Sequence, residues 1–161
     1  MRGRRWHVQQ WPAPSAQAPQ LLLLHGTGAS THSWRRLVPL LARRAGVLAV
    51  DLPGHGFSEA ARGDGATLRG MARGVAALLR EVGVQPTLLV GHSAGGMHAQ
   101  VYASQYPAEV AGLVLVDPTP AQAMMRKVIA LFDEYQSKEN AKHVLRAMKE
   151  NARQGFWNGA R

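Results

Sequence analysis

The amino-acid sequence predicts an α/β protein, a three-layer sandwich around a mostly parallel sheet of about four or five strands. Short runs made only of apolar residues recur along the chain, which is typical of strands buried on both faces. Segments with apolar residues at helical spacing separate these runs, and this alternation specifies a parallel sheet covered by helices on both sides. The strands are expected at residues 21–24, 47–50, 87–90 and 110–116, with a weakly alternating edge strand within 5–11.

Turn and capping residues divide the predicted elements. Prolines between residues 12 and 19 predict a loop after the edge strand. Ser33 is the expected N-cap of a first helix and Thr67 that of a second, and a third helix is expected over 97–106. The predicted apolar face of the second helix consists of Leu68, Met71, Val75, Leu78, Leu79 and Val82.

Residues 121–161 differ in character from the rest of the chain. Their apolar residues at helical spacing predict two helices, separated by a polar stretch at 136–140, and no further strand. We therefore divide the chain into an N-terminal edge strand and loop at 1–20, a core at 21–120, and a helical segment at 121–161.

Composition excludes several kinds of protein. The 161 residues, 46% of them hydrophobic, are enough for one domain with a sizeable core. Cysteine is absent, which excludes disulfides and thiolate metal sites, and no other metal site or cofactor is predicted. No apolar run is long enough to span a membrane, and the basic N-terminus lacks the apolar core of a signal peptide. A cytoplasmic location is therefore expected.

The formal net charge of +9 comes mainly from arginines scattered over the expected helix surfaces. No dense basic run is interleaved with aromatic residues, so nucleic-acid binding is not expected. A solvated arginine-rich surface accounts for the charge, and binding of an acidic partner protein is the alternative.

One stretch carries the clearest chemical signal. Gly91-His92-Ser93-Ala94-Gly95 fits the pattern Gly-x-Ser-x-Gly and lies between the strand at 87–90 and a helix-compatible segment. A strand that turns into a helix within so few residues forces the central serine into a strained backbone conformation with its hydroxyl exposed. Side chains at Gly91 and Gly95 would clash in such a turn. The sequence therefore predicts a nucleophile elbow with an unusual backbone conformation at Ser93.

Other polar residues occupy comparable positions. Ligands of parallel α/β sheets bind beyond the carboxyl ends of the strands. His25, Asp51, Ser93 and Asp117 each follow a predicted strand directly. The candidate chemistry is therefore expected at this edge of the sheet.

Three motifs in this order resemble the α/β-hydrolase superfamily. They are His-Gly-Thr-Gly at 25–28, Asp-Leu-Pro-Gly-His-Gly-Phe-Ser at 51–58, and the elbow at 91–96. The resemblance covers about residues 20 to 120 and implies that family's fold, here as an incomplete core. Residues 21–34 and 51–58 also resemble the α/β-hydrolase-like accessory proteins associated with magnesium chelatase in bacteriochlorophyll synthesis.

The resemblance implies roles for individual residues. Ser93 matches the nucleophile, and the backbone N–H groups of Thr27 and Ala94 match the oxyanion hole, which binds the negative charge of the transition state. The elbow and loop positions that match the family's motifs are Gly26, Gly91, Gly95, His25 and His92.

The resemblance is weaker for the acid and the base of a catalytic triad. Asp117 matches the acid position after the strand that follows the elbow, as in haloalkane dehalogenases, and a turn or capping role before Pro118 is the alternative. No residue matches the catalytic histidine, which the family takes from a loop after its last strand. His143 is expected to be a solvated or packed helix residue. We therefore expect a truncated gene product, a fragment or an artificially made chain.

The implied function is that of a serine-type hydrolase acting on an ester, amide or related acyl substrate, impaired by the lack of that histidine. The alternatives are a non-catalytic accessory module that binds an apolar small molecule or a partner, and an inactive fragment. The last sheet edge and the helices of 121–161 have little to bury against, so self-association is also expected.

Overall fold

The computed structural model describes residues 4–85 and 87–116. The strands of its single sheet are β1 (Val8–Trp11), β2 (Gln20–Leu24), β3 (Gly46–Val50), β4 (Thr87–His92) and β5 (Val110–Val116). Their order in the sheet is β1-β3-β2-β4-β5. Strand β1 pairs antiparallel with β3, and all other neighbours are parallel. The predicted α/β class with a mostly parallel sheet is confirmed.

Helices connect the strands on both faces of this sheet. The α-helices of the described chain are α1 (Val38–Leu41), α2 (Leu68–Glu81) and α3 (Ala94–Gln105). Short 3-10 helices lie at Thr31–Trp34, Gly63–Ala66 and Pro107–Glu109. The predicted N-cap of α2 is confirmed, because the Thr67 hydroxyl accepts a hydrogen bond of 3.0 Å from the N–H of Gly70.

The first helical segment begins differently from the prediction. Ser30, and not Ser33, is its N-cap, and the Ser30 hydroxyl accepts a hydrogen bond of 3.3 Å from the N–H of His32. The chain then makes a 3-10 turn before α1, whose first turn contains Pro39. Proline has no N–H to donate and therefore fits the start of a helix, where the N–H groups lack intrahelical partners.

The buried face of α2 differs in part from the predicted one. Leu68, a predicted member of that face, is 40% exposed, whereas Ala72 and Ala76 are buried. Small side chains on this face allow α2 to lie close to its neighbours, because the distance between packed elements depends on the side chains at the contact.

Two hydrophobic cores lie on opposite faces of the sheet, and β2 contributes to both. Leu22 and Leu24 belong to the first core, which α2 and α3 cover. Leu21 and Leu23 belong to the second core, together with Trp34 and α1. Successive side chains of a strand point to opposite faces, so a continuous leucine run supplies both cores at once. This arrangement is the predicted three-layer sandwich.

The predicted helices of residues 121–161, and the domain division that rests on them, lie outside the described residues. In the part of the chain that the structure describes, no helix is long and apolar enough to cross a bilayer.

Candidate functional site

The turn between β4 and α3 consists of a single residue, Ser93. Strand β4 continues through Gly91 to His92, beyond its predicted end, and α3 begins at Ala94, earlier than predicted. Ser93 has φ 53° and ψ −122°, and among the described residues no other non-glycine has a positive φ. Such a conformation costs about 1–3 kcal/mol and persists only where the surrounding structure enforces it. The unusual backbone predicted at Ser93 is confirmed.

Two glycines make this turn possible, because the backbone around them is too close to leave room for a side chain. A Cβ on Gly95 would overlap the carbonyl oxygen of Leu24 and lie 2.5 Å from that of His25. A Cβ on Gly91 would lie 2.5 Å from the carbonyl oxygen of Gly95. No side chain fits at these distances, so α3 can approach β2 and β4 this closely only with glycine at both positions.

The side chain of Ser93 faces outward from this turn. Its residue is exposed, and its backbone N–H donates a hydrogen bond of 3.1 Å to the carbonyl oxygen of Val116 in β5. This bond ties the turn to the neighbouring strand. Within residues 4–85 and 87–116, the Ser93 hydroxyl has no hydrogen-bond partner. No group of the described residues therefore occupies the hydroxyl.

The loop after β2 meets the elbow at Ser93. A Cβ on Gly26 would lie 3.1 Å from Cβ of Ser93 and 3.3 Å from Nδ1 of the half-buried His92. Thr27 follows in this loop and is exposed. On the other side, Ala94 is the first residue of α3, where a helix leaves its N–H groups without intrahelical partners. Thr27 and Ala94 therefore lie on the two segments that meet at the serine.

His25 links two loops and is not available for chemistry. Its Nε2 accepts a hydrogen bond of 2.9 Å from the N–H of Leu52, which leaves the ring proton on Nδ1, where it is donated to the carbonyl oxygen of Gly26 at 2.8 Å. Burial lowers the pKa of His25 and so favours the neutral ring. Both ring nitrogens are therefore occupied by backbone groups of the two loops.

Asp51 has a similar structural role at the end of β3. Its buried carboxylate accepts hydrogen bonds from the N–H of Thr31 at 2.6 Å, the N–H of Phe57 at 3.0 Å and Nδ1 of His7 at 2.8 Å. Burial disfavours the charged form, but these three donors outweigh it and hold the pKa of Asp51 below its ordinary value of 3.8. The carboxylate is thereby committed to holding the loop 51–58 in place.

His98 on α3 was not identified from the sequence. Its Nδ1 is buried and has no hydrogen-bond partner among the described residues. Burial lowers the pKa of His98, and the nearby imidazoles of His55 and His25 lower it further. No sequence pattern marks this residue, because these neighbours come from two other loops of the chain.

The remaining predicted residues stay predictions. Asp117 and His143 lie outside the described residues. Within the described ranges, no imidazole hydrogen-bonds to the Ser93 hydroxyl. In that same part of the chain, no group of three or more His, Asp or Glu side chains is arranged to hold a metal ion.

Known proteins are similar to this chain in sequence and in fold. A family model described as alpha/beta hydrolase fold matches residues 19–153. The magnesium-chelatase 30 kDa subunit of Rhodobacter capsulatus is 41% identical over 102 residues, covering 63% of this chain and 35% of that protein. An esterase of Mycobacterium tuberculosis is 42% identical over 104 residues, covering 65% of this chain and 34% of the esterase. The solved structure of an epoxide hydrolase matches with a TM-score of 0.65 at 32% sequence identity. The match covers 71% of this chain and 38% of the epoxide hydrolase.

The chain therefore spans little more than a third of the length of each of these relatives. Their names describe a chelatase subunit and two kinds of hydrolase, so the relationship specifies a fold and a family but no single substrate.

Proposed function

The chain belongs to the alpha/beta hydrolase family, and on this basis we propose that it is a serine-type hydrolase whose nucleophile is Ser93. The observation that carries the proposal is the backbone of Ser93, which holds an exposed side chain at φ 53° between β4 and α3. A strained turn enforced by two glycines lowers stability, and a serine with a purely structural role does not require it.

In the proposed reaction, the Ser93 oxygen attacks the carbonyl carbon of an ester, amide or related acyl group. As the new O–C bond forms, the π electrons move onto the carbonyl oxygen and the serine proton passes to a general base. Collapse of this tetrahedral intermediate expels the alcohol or amine, which takes up that proton. Water then hydrolyses the acyl-enzyme, releasing the acid and regenerating Ser93.

The N–H groups of Thr27 and Ala94 are the proposed donors to the developing oxyanion. This role is supported by the position of both residues, which lie on the two segments that meet at Ser93. One such donor contributes about 3 to 4 kcal/mol to transition-state stabilisation. The N-terminus of α3 adds the positive end of a helix dipole on the same side of the serine.

Asp117 is the proposed acid that would orient the base. The residue before it, Val116, accepts the hydrogen bond from the Ser93 N–H, so β5 ends beside the nucleophile. No imidazole of the described residues contacts the Ser93 hydroxyl. Because a serine triad acts as a unit, a serine without an imidazole partner loses several powers of ten in turnover. We therefore propose weak esterase activity for residues 1–161.

Labelling with a fluorophosphonate tests the proposal, because this reagent modifies activated serines. We expect labelling of the chain, together with slow hydrolysis of p-nitrophenyl acetate, and loss of both in Ser93→Ala. Ser104→Ala is the matched control, since Ser104 is exposed on the same helix. Equal labelling of the wild type and Ser93→Ala would overturn the assignment of the nucleophile.

The base is tested separately through the pH profile of ester hydrolysis. Fast, Ser93-dependent turnover that rises near neutral pH would identify a working histidine. If His143→Ala then abolishes it, His143 is the base and the proposal of weak activity is wrong.

A second candidate is a non-catalytic module that binds an apolar small molecule or a partner. It is favoured by the relative at 41% identity, which is named as a magnesium-chelatase subunit. A folded chain that neither reacts with the fluorophosphonate nor hydrolyses the ester would support this candidate over the hydrolase.

A further inference from the structure

An imidazole and a carboxylate form a close pair at the start of β1. Nδ1 of His7 lies 2.8 Å from Oδ2 of Asp51, whose side chain is only 1% exposed. A carboxylate accepts hydrogen bonds and donates none, so the neutral ring of His7 carries its proton on Nδ1 and its lone pair on Nε2. In a Ser-His-Asp triad, a buried aspartate fixes the tautomer and the orientation of the basic histidine in the same way.

The second ring nitrogen of His7 is not used by the protein. In the described part of the chain, Nε2 has no hydrogen-bond partner and is not one of the buried side-chain atoms that lack a partner. The side chain of His7 is 31% exposed. His25 is the contrast, because backbone groups occupy both of its nitrogens. His7 therefore keeps an oriented lone pair that can accept a proton from another molecule.

An exposed aromatic ring lies beside this imidazole. Phe57 is 82% exposed, and the centroid of its ring lies 5.2 Å from that of the His7 ring. Its backbone N–H donates a hydrogen bond of 3.0 Å to Oδ2 of Asp51, the same oxygen that binds His7. One buried oxygen thus positions both the base and the ring. A planar aromatic molecule stacked on Phe57 would lie next to the open nitrogen of His7.

This pair is separate from the elbow. His7 directly precedes β1 and Ser93 directly follows β4. The sheet order β1-β3-β2-β4 puts three strand spacings, about 14 Å, between the two positions. A proton cannot pass directly between side chains so far apart. The chemistry of His7 is therefore independent of the proposed nucleophile.

We propose that His7 is the general base of a second catalytic site, which removes a weakly acidic proton from a planar aromatic substrate. The substrate stacks on Phe57, and Nε2 of His7 takes the proton. Asp51 is the positioning residue that holds the ring and stabilises the imidazolium as it forms. The imidazolium then gives the proton to water, which restores the base.

Ring opening of 5-nitrobenzisoxazole by the full chain tests this proposal, because the reaction needs only a base. The base removes the proton from the ring carbon next to nitrogen, and the C–H electrons complete a nitrile. The N–O bond breaks and leaves its electron pair on oxygen, which gives a coloured phenolate. We expect His7→Gln, which keeps an N–H donor for Asp51 but has no basic nitrogen, to lower kcat/KM about tenfold or more. His32→Gln, at an exposed histidine, is the matched control and should change kcat/KM less than about twofold.

Phe57→Ala tests the aromatic ring and retains the backbone N–H that Asp51 binds. This variant should raise KM for 5-nitrobenzisoxazole about threefold or more and change kcat less than about twofold. NMR of the histidine nitrogens tests the positioning role of Asp51. The neutral ring of His7 should carry its proton on Nδ1 in the wild type, and Asp51→Asn should shift part of the population to the Nε2 tautomer.

Thermal melting shows which variants are folded. Equal kcat/KM in the wild type and folded His7→Gln would overturn the proposal, and so would an unchanged KM in Phe57→Ala or a wild-type His7 protonated on Nε2. The last two results decide the matter if His7→Gln does not fold. The ratio between wild type and His7→Gln should be the same when both chains carry Ser93→Ala. A ratio of one in that background would assign the activity to the elbow instead.

Discussion

Two turns at the same edge of the sheet use their polar groups in opposite ways. In the Asp51 loop, residues 51–58 after β3, a buried carboxylate accepts hydrogen bonds from three donors. In the elbow, residues 91–96 from the end of β4 into α3, Ser93 is exposed and its hydroxyl has no partner within the described ranges. The Asp51 carboxylate stabilises its loop through hydrogen bonds, whereas the elbow holds Ser93 in a strained backbone conformation.

This difference shows that a position at a strand end does not by itself identify a reactive residue. His25, Asp51 and Ser93 all follow parallel strands, but the polar side-chain atoms of the first two already form hydrogen bonds within the protein. An exposed polar atom with free hydrogen-bonding capacity, held by a rigid backbone, marks the candidate for chemistry. The predictions below test this distinction.

The largest effect is expected where the elbow depends on backbone contact. Gly95→Ala places a Cβ onto the carbonyl oxygen of Leu24, so the free energy of unfolding should fall by about 3 kcal/mol or more. Gly96→Ala is the control, because its Cβ would lie 3.5 Å from the carbonyl oxygen of Gly91 and should change stability by less than about 1 kcal/mol. Urea denaturation measures both. Equal losses would mean that Gly95 does not enforce the turn.

Removing the charge of Asp51 should have the next largest effect. Asp51→Asn replaces one acceptor oxygen by a donor opposite the N–H of Phe57 or Thr31, which should cost about 2 to 3 kcal/mol at neutral pH. Asp64→Asn is the control, since Asp64 is exposed and its ion pair with Arg73 is worth less than about 1 kcal/mol. If both variants lose equally little in urea denaturation, the Asp51 loop does not depend on its carboxylate.

The same carboxylate predicts a dependence on pH. The folded pKa of Asp51 is lowered, so its contribution is present above the ordinary value of 3.8 and disappears as the pH falls through the folded value. The difference in unfolding free energy between the wild type and Asp51→Asn should therefore shrink in acid. A difference that stays constant down to low pH would contradict this.

A weaker pH effect is expected from His98. Its folded pKa is lowered, so the unfolded chain binds the proton more readily, and stability is lost as the pH falls below 6.5 toward the folded value. His98→Met should make this slope between pH 7 and 5 shallower, with His25 supplying the remainder. An unchanged slope in His98→Met would contradict this. Urea denaturation across this pH range decides between these outcomes.

The smallest effect concerns the strain at Ser93 itself. Ser93→Gly removes the side chain that φ 53° disfavours, and should raise the unfolding free energy by about 1 kcal/mol or less after the entropy cost of glycine. Ser93→Ala retains a Cβ and should leave stability unchanged. An equal gain in both variants would place the strain in the hydroxyl instead of the backbone.

Much of the fold could be predicted because its strands are continuous apolar runs. Strand β5 spans 110–116, the bounds of its apolar run, although Gly112 lies within it. Strand β4 and helix α3 were predicted too short, because Gly91, Gly95 and Gly96 have low propensity for either element. Tertiary contact overrides that propensity here, since only glycine allows the helix to approach the strands.

The site was predictable to the extent that it is local in sequence. The backbone of Ser93 follows from neighbours within three residues. The partners of Asp51 come from Thr31 and His7, which are 20 and 44 residues away, and no local pattern carries that information. The unpartnered nitrogen of His98 was unpredictable for the same reason.

The leucine run of β2 has a consequence for how the sheet assembles. Leu21 to Leu24 are identical, so a shift of one residue against β3 and β4 would exchange the two cores while leaving leucine at most positions. The side chains inside the run barely distinguish the correct alignment from the shifted one. The ends of the strand must do so, through Gln20 against Gly46 and the Leu24 carbonyl against Gly95. The close contact of Gly95 with the Leu24 carbonyl, which allows the turn at Ser93, therefore also fits only the observed alignment of a repetitive strand.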